Sequence, residues 1–185
     1  ALAGSAELHH VQPVVVRLDT LGGNAGGGNS INNRGWVTGV ANLAGDQEAH
    51  ATLWRQGETV DLGTLGGPNS AVSWPVKNNN GDIVGIAELD EVDPLGETFS
   101  CAPFFGTPAT GNICRGFLWR DDVMTGLDPF EGGTHSYAAG INNQGQIVGW
   151  AENGVVDSAC VAAQILQLQA ALAIAILIAA PVRIS

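Results

Sequence analysis

The chain reads as an all-β fold of repeated four-stranded antiparallel units, each about 44 residues long, and three observations predict it. One short phrase is written three times: Ile31-Asn32-Asn33-Arg34-Gly35-Trp36-Val37-Thr38-Gly39, then Val76-Lys77-Asn78-Asn79-Asn80-Gly81-Asp82-Ile83-Val84-Gly85, then Ile141-Asn142-Asn143-Gln144-Gly145-Gln146-Ile147-Val148-Gly149. Leu21-Gly22-Gly23 returns as Leu65-Gly66-Gly67, and Ala51-Thr52-Leu53-Trp54-Arg55 as Gly116-Phe117-Leu118-Trp119-Arg120. Glycine supplies 26 of 185 residues, roughly twice its usual ~7% share, as frequent tight turns require. A single unit of this size cannot bury its own apolar face, so neighbours must stack.

The elements follow in order. Strand one of each unit ends at the Ile or Val before the asparagine run. Asn32-Asn33-Arg34-Gly35 and its copies suit a tight hairpin, because Asn tolerates left-handed backbone angles and Gly adopts them without steric cost. Strand two is the Ile-Val-Gly segment, alternating with period two. The Leu-Trp segment is strand three, with Trp54 and Trp119 as core aromatics between stacked sheets. Strand four carries the apolar-acidic pairs at Val60-Asp61-Leu62 and Gly126-Leu127-Asp128. The glycine-rich stretch 22–28 reads as a loop between units. Four strands in this length is the size of a propeller blade, so the expected architecture is β-propeller-like, complete or partial.

The organisation expected is a lead-in at 1–16, a repeat domain at 17–160 and an apolar tail at 161–185. The units run about 17–62, 63–128 and 129–178, the second carrying an insertion at 90–112. In the tail, Leu166, Leu168, Leu172, Ile174, Ile176 and Ile178 alternate with Gln and Ala, which is strand periodicity and would complete the third unit. A buried helix is the alternative. Gln164, Gln167, Gln169 and Pro181 argue against a membrane span. Closure of a propeller takes about four or more blades, so the tail strands, or self-association, are expected to cover the open end.

The run Asp61-Leu62-Gly63-Thr64-Leu65-Gly66-Gly67-Pro68-Asn69-Ser70, followed by the Asn-Asn-x-Gly-x-Ile-Val-Gly phrase and Phe117-Leu118-Trp119, resembles the HAF-repeat family of bacterial repeat proteins. The resemblance spans roughly residues 17–150, and Leu62–Ser70 is its most specific part. The family's His-Ala-Phe triplet departs here to His50-Ala51-Thr52 and Arg115-Gly116-Phe117. What the resemblance implies is an extracellular, β-propeller-like protein; it implies no activity.

The charge excludes one class of partner. With 18 acidic and 7 basic residues the net charge is −11, which opposes nucleic acid, whose binding depends on Lys and Arg neutralising phosphates. Ala1-Leu2-Ala3-Gly4-Ser5-Ala6 has the small residues of a signal-peptide cleavage region, in keeping with secretion to the cell surface, the periplasm or outside the cell. Cys101 and Cys114 flank a Pro/Gly-rich loop that a disulfide can span in an oxidising compartment; Cys160 competes as a partner, and three unpaired thiols are the alternative. No Cys-x-x-Cys occurs, and His9, His10, His50 and His135 fall at no zinc-ligand spacing around the cysteines.

Candidate chemistry is sparse. No nucleophile elbow, His-Glu-x-x-His pair or phosphate-binding loop occurs. Asp90, Glu91, Asp93 and Glu97 crowd the insertion and are candidate calcium ligands, since hard cations take several oxygens. Calcium is the one cofactor suggested. Asp61 and Asp128 at matching strand-four positions, or Glu131, are the carboxylates a glycosidase on such a scaffold would use. Trp36, Trp74 and Trp150 differ between copies and, with Phe104 and Phe105 of the insertion, are candidate stacking residues for a carbohydrate or a protein segment. The expected function is a secreted, non-catalytic binding or structural module, with a carbohydrate-active hydrolase or a self-assembling surface component as alternatives.

Overall fold

The computed structural model describes residues 13–74, 78–96, 101–105 and 110–155. The tail, Glu97 and Cys160 therefore lie outside the described residues. Among the described residues, ten strands and one short helix follow each other: β1 (Gly22–Ile31), β2 (Val37–Leu43), β3 (Ala49–Arg55), β4 (Glu58–Asp61), β5 (Gly66–Ala71), β6 (Ile83–Val92), α1 (Ala102–Phe105), β7 (Asn112–Arg120), β8 (Val123–Leu127), β9 (Ser136–Ile141) and β10 (Ile147–Ala151). They form two four-stranded antiparallel meanders, β1-β2-β3-β4 and β5-β6-β7-β8, and a hairpin of β9 and β10.

Local chemistry explains each connection. Gln56-Gly57 joins β3 to β4 and Asp121-Asp122 joins β7 to β8, and all four residues have positive φ, as two-residue hairpins with the strand twist demand. The asparagine turns share one pattern. Asn32 Oδ1 accepts the Arg34 and Trp36 amides, Asn78 Oδ1 those of Asn80 and Asp82, and Asn142 Oδ1 those of Gln144 and Gln146, at 2.6 to 3.4 Å. The side chain thus takes over donors that the turn would strand.

These turns are also joined to one another. Asn32 Nδ2 donates to the Asn78 carbonyl (3.2 Å), and Asn78 Nδ2 to that of Asn142 (2.7 Å). The amides of Asn33 and Asn79 donate to the side chains of Asn79 (3.1 Å) and Asn143 (2.8 Å). A second seam joins the sheets partway along their strands. Ser70 Oγ accepts the Ala51 amide and donates to the Gly63 carbonyl, while Ser136 Oγ accepts the Gly116 amide and donates to the Leu127 carbonyl. Between the seams lies a continuous core of Leu53, Val72, Val84, Phe117, Trp119, Ile141 and Ile147, drawn from all three sheets. Trp54 and Trp119 are both buried.

The stretch 22–28 departs from expectation, because it forms most of β1 instead of a loop. Its glycines let β1 lie against β2 at separations side chains forbid. A Cβ on Gly23 would stand 2.5 Å from the Leu43 carbonyl oxygen, and one on Gly39 only 1.9 Å from that of Gly27. The register shifts between Gly22 and Gly26, and again between Gly28 and Ser30, record the resulting bulges.

Candidate functional site

The insertion is folded back onto the sheets by a disulfide between Cys101 and Cys114, the second of which lies in β7. This clamps α1, whose Phe104 amide bonds the Cys101 carbonyl (2.9 Å), over the first strand of the last hairpin. Phe104 stacks on Tyr137 with ring centroids 4.8 Å apart. On β10, Trp150 is the direct cross-strand neighbour of Tyr137, and the two rings stack at 4.2 Å. A Phe-Tyr-Trp stack therefore joins residues far apart in sequence, with Phe105, Ala71, Ile86 and the disulfide packed around it.

Tyr137 is buried, and its hydroxyl completes no hydrogen bond of sound geometry, although Ser73 and Trp74 approach it. Burial pushes the phenol well above its ordinary pKa, and those two neighbours pull only weakly the other way. Trp74 sits at the rim and is 45% exposed. Four of the five candidate stacking residues, Trp74, Phe104, Phe105 and Trp150, are thus gathered around Tyr137, a residue that sequence reasoning passed over. The asymmetry of the third unit was its only signal, because Tyr137 is the single tyrosine in the chain.

Trp36 lies elsewhere. The guanidiniums of Arg34 and Arg55 each sit 5.4 Å from its ring, and its edge packs over Gly81. A small cavity of about 20 Å³ beside it, lined by Asn32, Asn78 and Asp82 among others, has room for a water molecule. Asp82 is buried there and held by Arg120, whose Nε and Nη2 donate at 2.6 and 2.9 Å.

The carboxylates separate into different environments. Asp61 accepts from the His50 ring at 2.9 Å and from the Gly63 amide at 2.8 Å. Burial works to raise its pKa, yet these two hydrogen bonds prevail and hold it below the usual carboxylate value. Asp128 is exposed, 3.7 Å from Arg115, and Glu131 is exposed as well. Asp61 and Asp128 each meet a residue of the adjacent third strand, a repeated closing contact. In the insertion, Asp90 and Glu91 point to solvent at the end of β6, whereas Asp93 is buried 3.5 Å from His135 Nε2. Glu88 is fully buried, bonded to Asn69 Nδ2 (2.8 Å) and to the Thr110 hydroxyl, and no sequence motif announced it.

No family model, curated protein or solved structure matches this chain. Among the described residues, no helix is long and apolar enough to cross a membrane. The disulfide is compatible with an oxidising, extracellular setting.

Proposed function

We propose that the chain is an extracellular repeat scaffold of β-propeller type, related to the HAF-repeat proteins, that binds a neutral carbohydrate without catalysing a reaction. The observation that carries this reading is the convergence of Trp74, Phe104 and Trp150 on Tyr137. Flat aromatic faces held rigid by a clamped insertion suit the apolar faces of sugar rings, and Trp74 at the exposed rim, with half-buried Ser73 beside it, is where such a ring would meet the stack. A net charge of −11 disfavours anionic glycans, which makes a neutral one the better partner. A glycan array followed by titration calorimetry tests it. Trp74→Ala is expected to weaken the best hit about tenfold, equivalent to ~1.4 kcal/mol of lost stacking. Unchanged affinity in that variant would sink the proposal.

A second reading, self-association, is favoured by one observation. In the two larger sheets the second strand is paired on both sides, whereas β10 pairs only with β9 among the described residues. Its outer side carries half-exposed Val148 beside an open groove of about 390 Å³ lined by Ile141, Ile147 and Val148. Edges of this kind recruit strands unless charges blunt them. If the edge pairs with a second copy, light scattering finds a concentration-dependent dimer that Val148→Lys abolishes. A monomer at all concentrations removes this reading.

A further inference from the structure

We propose that Cys101, Cys114 and His135 form a thiol-switched metal site, closed as a disulfide when oxidised and able to bind a zinc-like ion when reduced. A ring nitrogen of His135 and the two sulfurs all lie within 4.8 Å of one another, and all three residues are buried. Zinc binds sulfur at ~2.3 Å and imidazole nitrogen at ~2.0–2.1 Å, so donors on one tetrahedral ion stand roughly 3.6–3.8 Å apart. The Cys101 sulfur is 4.0 Å from His135 Nδ1, so the histidine needs only a small approach. The two sulfurs, once unlinked, must part.

The imidazole is already set for this role. Its Nδ1 accepts the Cys114 amide at 3.1 Å, so the proton is on Nε2 and the Nδ1 lone pair, now held by that amide, is the one a nearby ion would take. That Nε2 completes no hydrogen bond and stands 3.5 Å from Asp93 Oδ2 inside the protein. A carboxylate behind a histidine is the arrangement that orients metal-bound imidazoles and raises their basicity.

Comparison with the preceding sheet isolates what is special here. There the same docking job is done by Asn69, whose Oδ1 accepts the Ala49 amide at 3.1 Å. At the corresponding places the next seam carries His135 for Asn69 and Cys114 for Ala49, and the insertion adds Cys101 and Asp93 at the same spot. Asparagine suffices to join the sheets; the imidazole and the thiols add ligating capacity.

Opening the site consumes two electrons and two protons. A dithiol reductant supplies both and is itself oxidised to a disulfide, leaving two thiols on the protein. The ion then displaces both thiol protons and takes the Nδ1 lone pair, at the cost of the hydrogen bond from the Cys114 amide.

The test uses the full chain carrying Cys160→Ser, reduced with dithiothreitol, desalted without oxygen and titrated with Co²⁺. The expected result is thiolate-to-cobalt charge transfer, with the visible bands of tetrahedral cobalt saturating at a single equivalent, and neither feature in the oxidised chain. His135→Asn copies the Asn69 contact and keeps the circular dichroism of the parent, but binding weakens about 100-fold or more; Asp93→Asn weakens it about 10–100-fold. A reduced chain that shows no charge transfer overturns the proposal. So does a His135→Asn chain that binds as tightly as its parent, whether folded or unfolded, because thiols alone would then account for the signal.

Discussion

Replacing Asn78 with alanine lowers stability by about 4 kcal/mol, read from urea unfolding, whereas the same change at Asn142 costs about 1 kcal/mol. The two residues occupy the same place in the repeated phrase. Asn78 is 3% exposed. Its Oδ1 accepts the amides of Asn80 (2.6 Å), Gly81 (3.1 Å) and Asp82 (3.4 Å). Its Nδ2 donates to the Asn142 carbonyl at 2.7 Å. Alanine removes four bonds at once and strands the buried Asp82 amide, and each stranded buried group costs about 1–3 kcal/mol. Asn142 makes the same turn bonds on the surface, where water replaces them, and among the described residues its Nδ2 reaches Gln146 within its own turn and no other turn. Equal losses at the two sites would show that the joint between turns contributes nothing beyond the turn itself.

Gly85→Ala is expected to cost about 3 kcal/mol, the upper range for overpacking, while Gly27→Ala is nearly neutral. A Cβ on Gly85 would fall 2.3 Å from the Ala71 carbonyl oxygen and 2.7 Å from the Phe117 ring. Neither neighbour can withdraw cheaply. The oxygen belongs to β5, paired to β6 at this point, and Phe117 is fully buried. At Gly27 a Cβ meets nothing within 4 Å, so the substitution mainly restricts the unfolded chain. Thermal unfolding of the two variants decides it, and a small shift at Gly85 would mean that the strands separate without penalty.

These two residues also explain why the repeated phrase is repeated. Its first asparagine closes the turn, and in Asn32 and Asn78 also ties it to the next. Its last glycine lets strands one and two approach, since a Cβ on Gly39, Gly85 or Gly149 would come within 1.9 to 2.3 Å of a carbonyl oxygen on the partner strand. Both roles are architectural. The strand order within each meander was legible for the same reason, because turn chemistry and period-two alternation are local properties. The stretch 22–28 was misread because a glycine run looks like a loop until the strand it must lie against is known. The candidate site was half legible: Trp74, Phe104, Phe105 and Trp150 stood out by breaking the repeat, but nothing local indicated that they would meet.

The amino-acid sequence by itself determined the all-β class, the antiparallel hairpins, the burial of Trp54 and Trp119, and a cysteine pair within disulfide reach. The first three depend on residues within a few positions of one another, or on a period, and the cysteine pair on the short loop that Cys101 and Cys114 flank. Only the tertiary structure decided that Tyr137 lies between Phe104 and Trp150, that Asp93 turns inward to His135, and that His135 faces the sulfurs of Cys101 and Cys114. The partners in these contacts are 13 to 42 residues apart along the chain and at no motif spacing. They are neighbours because one sheet docks on the next, and docking is set by shape and buried polar pairing across the seam, which a linear pattern does not encode.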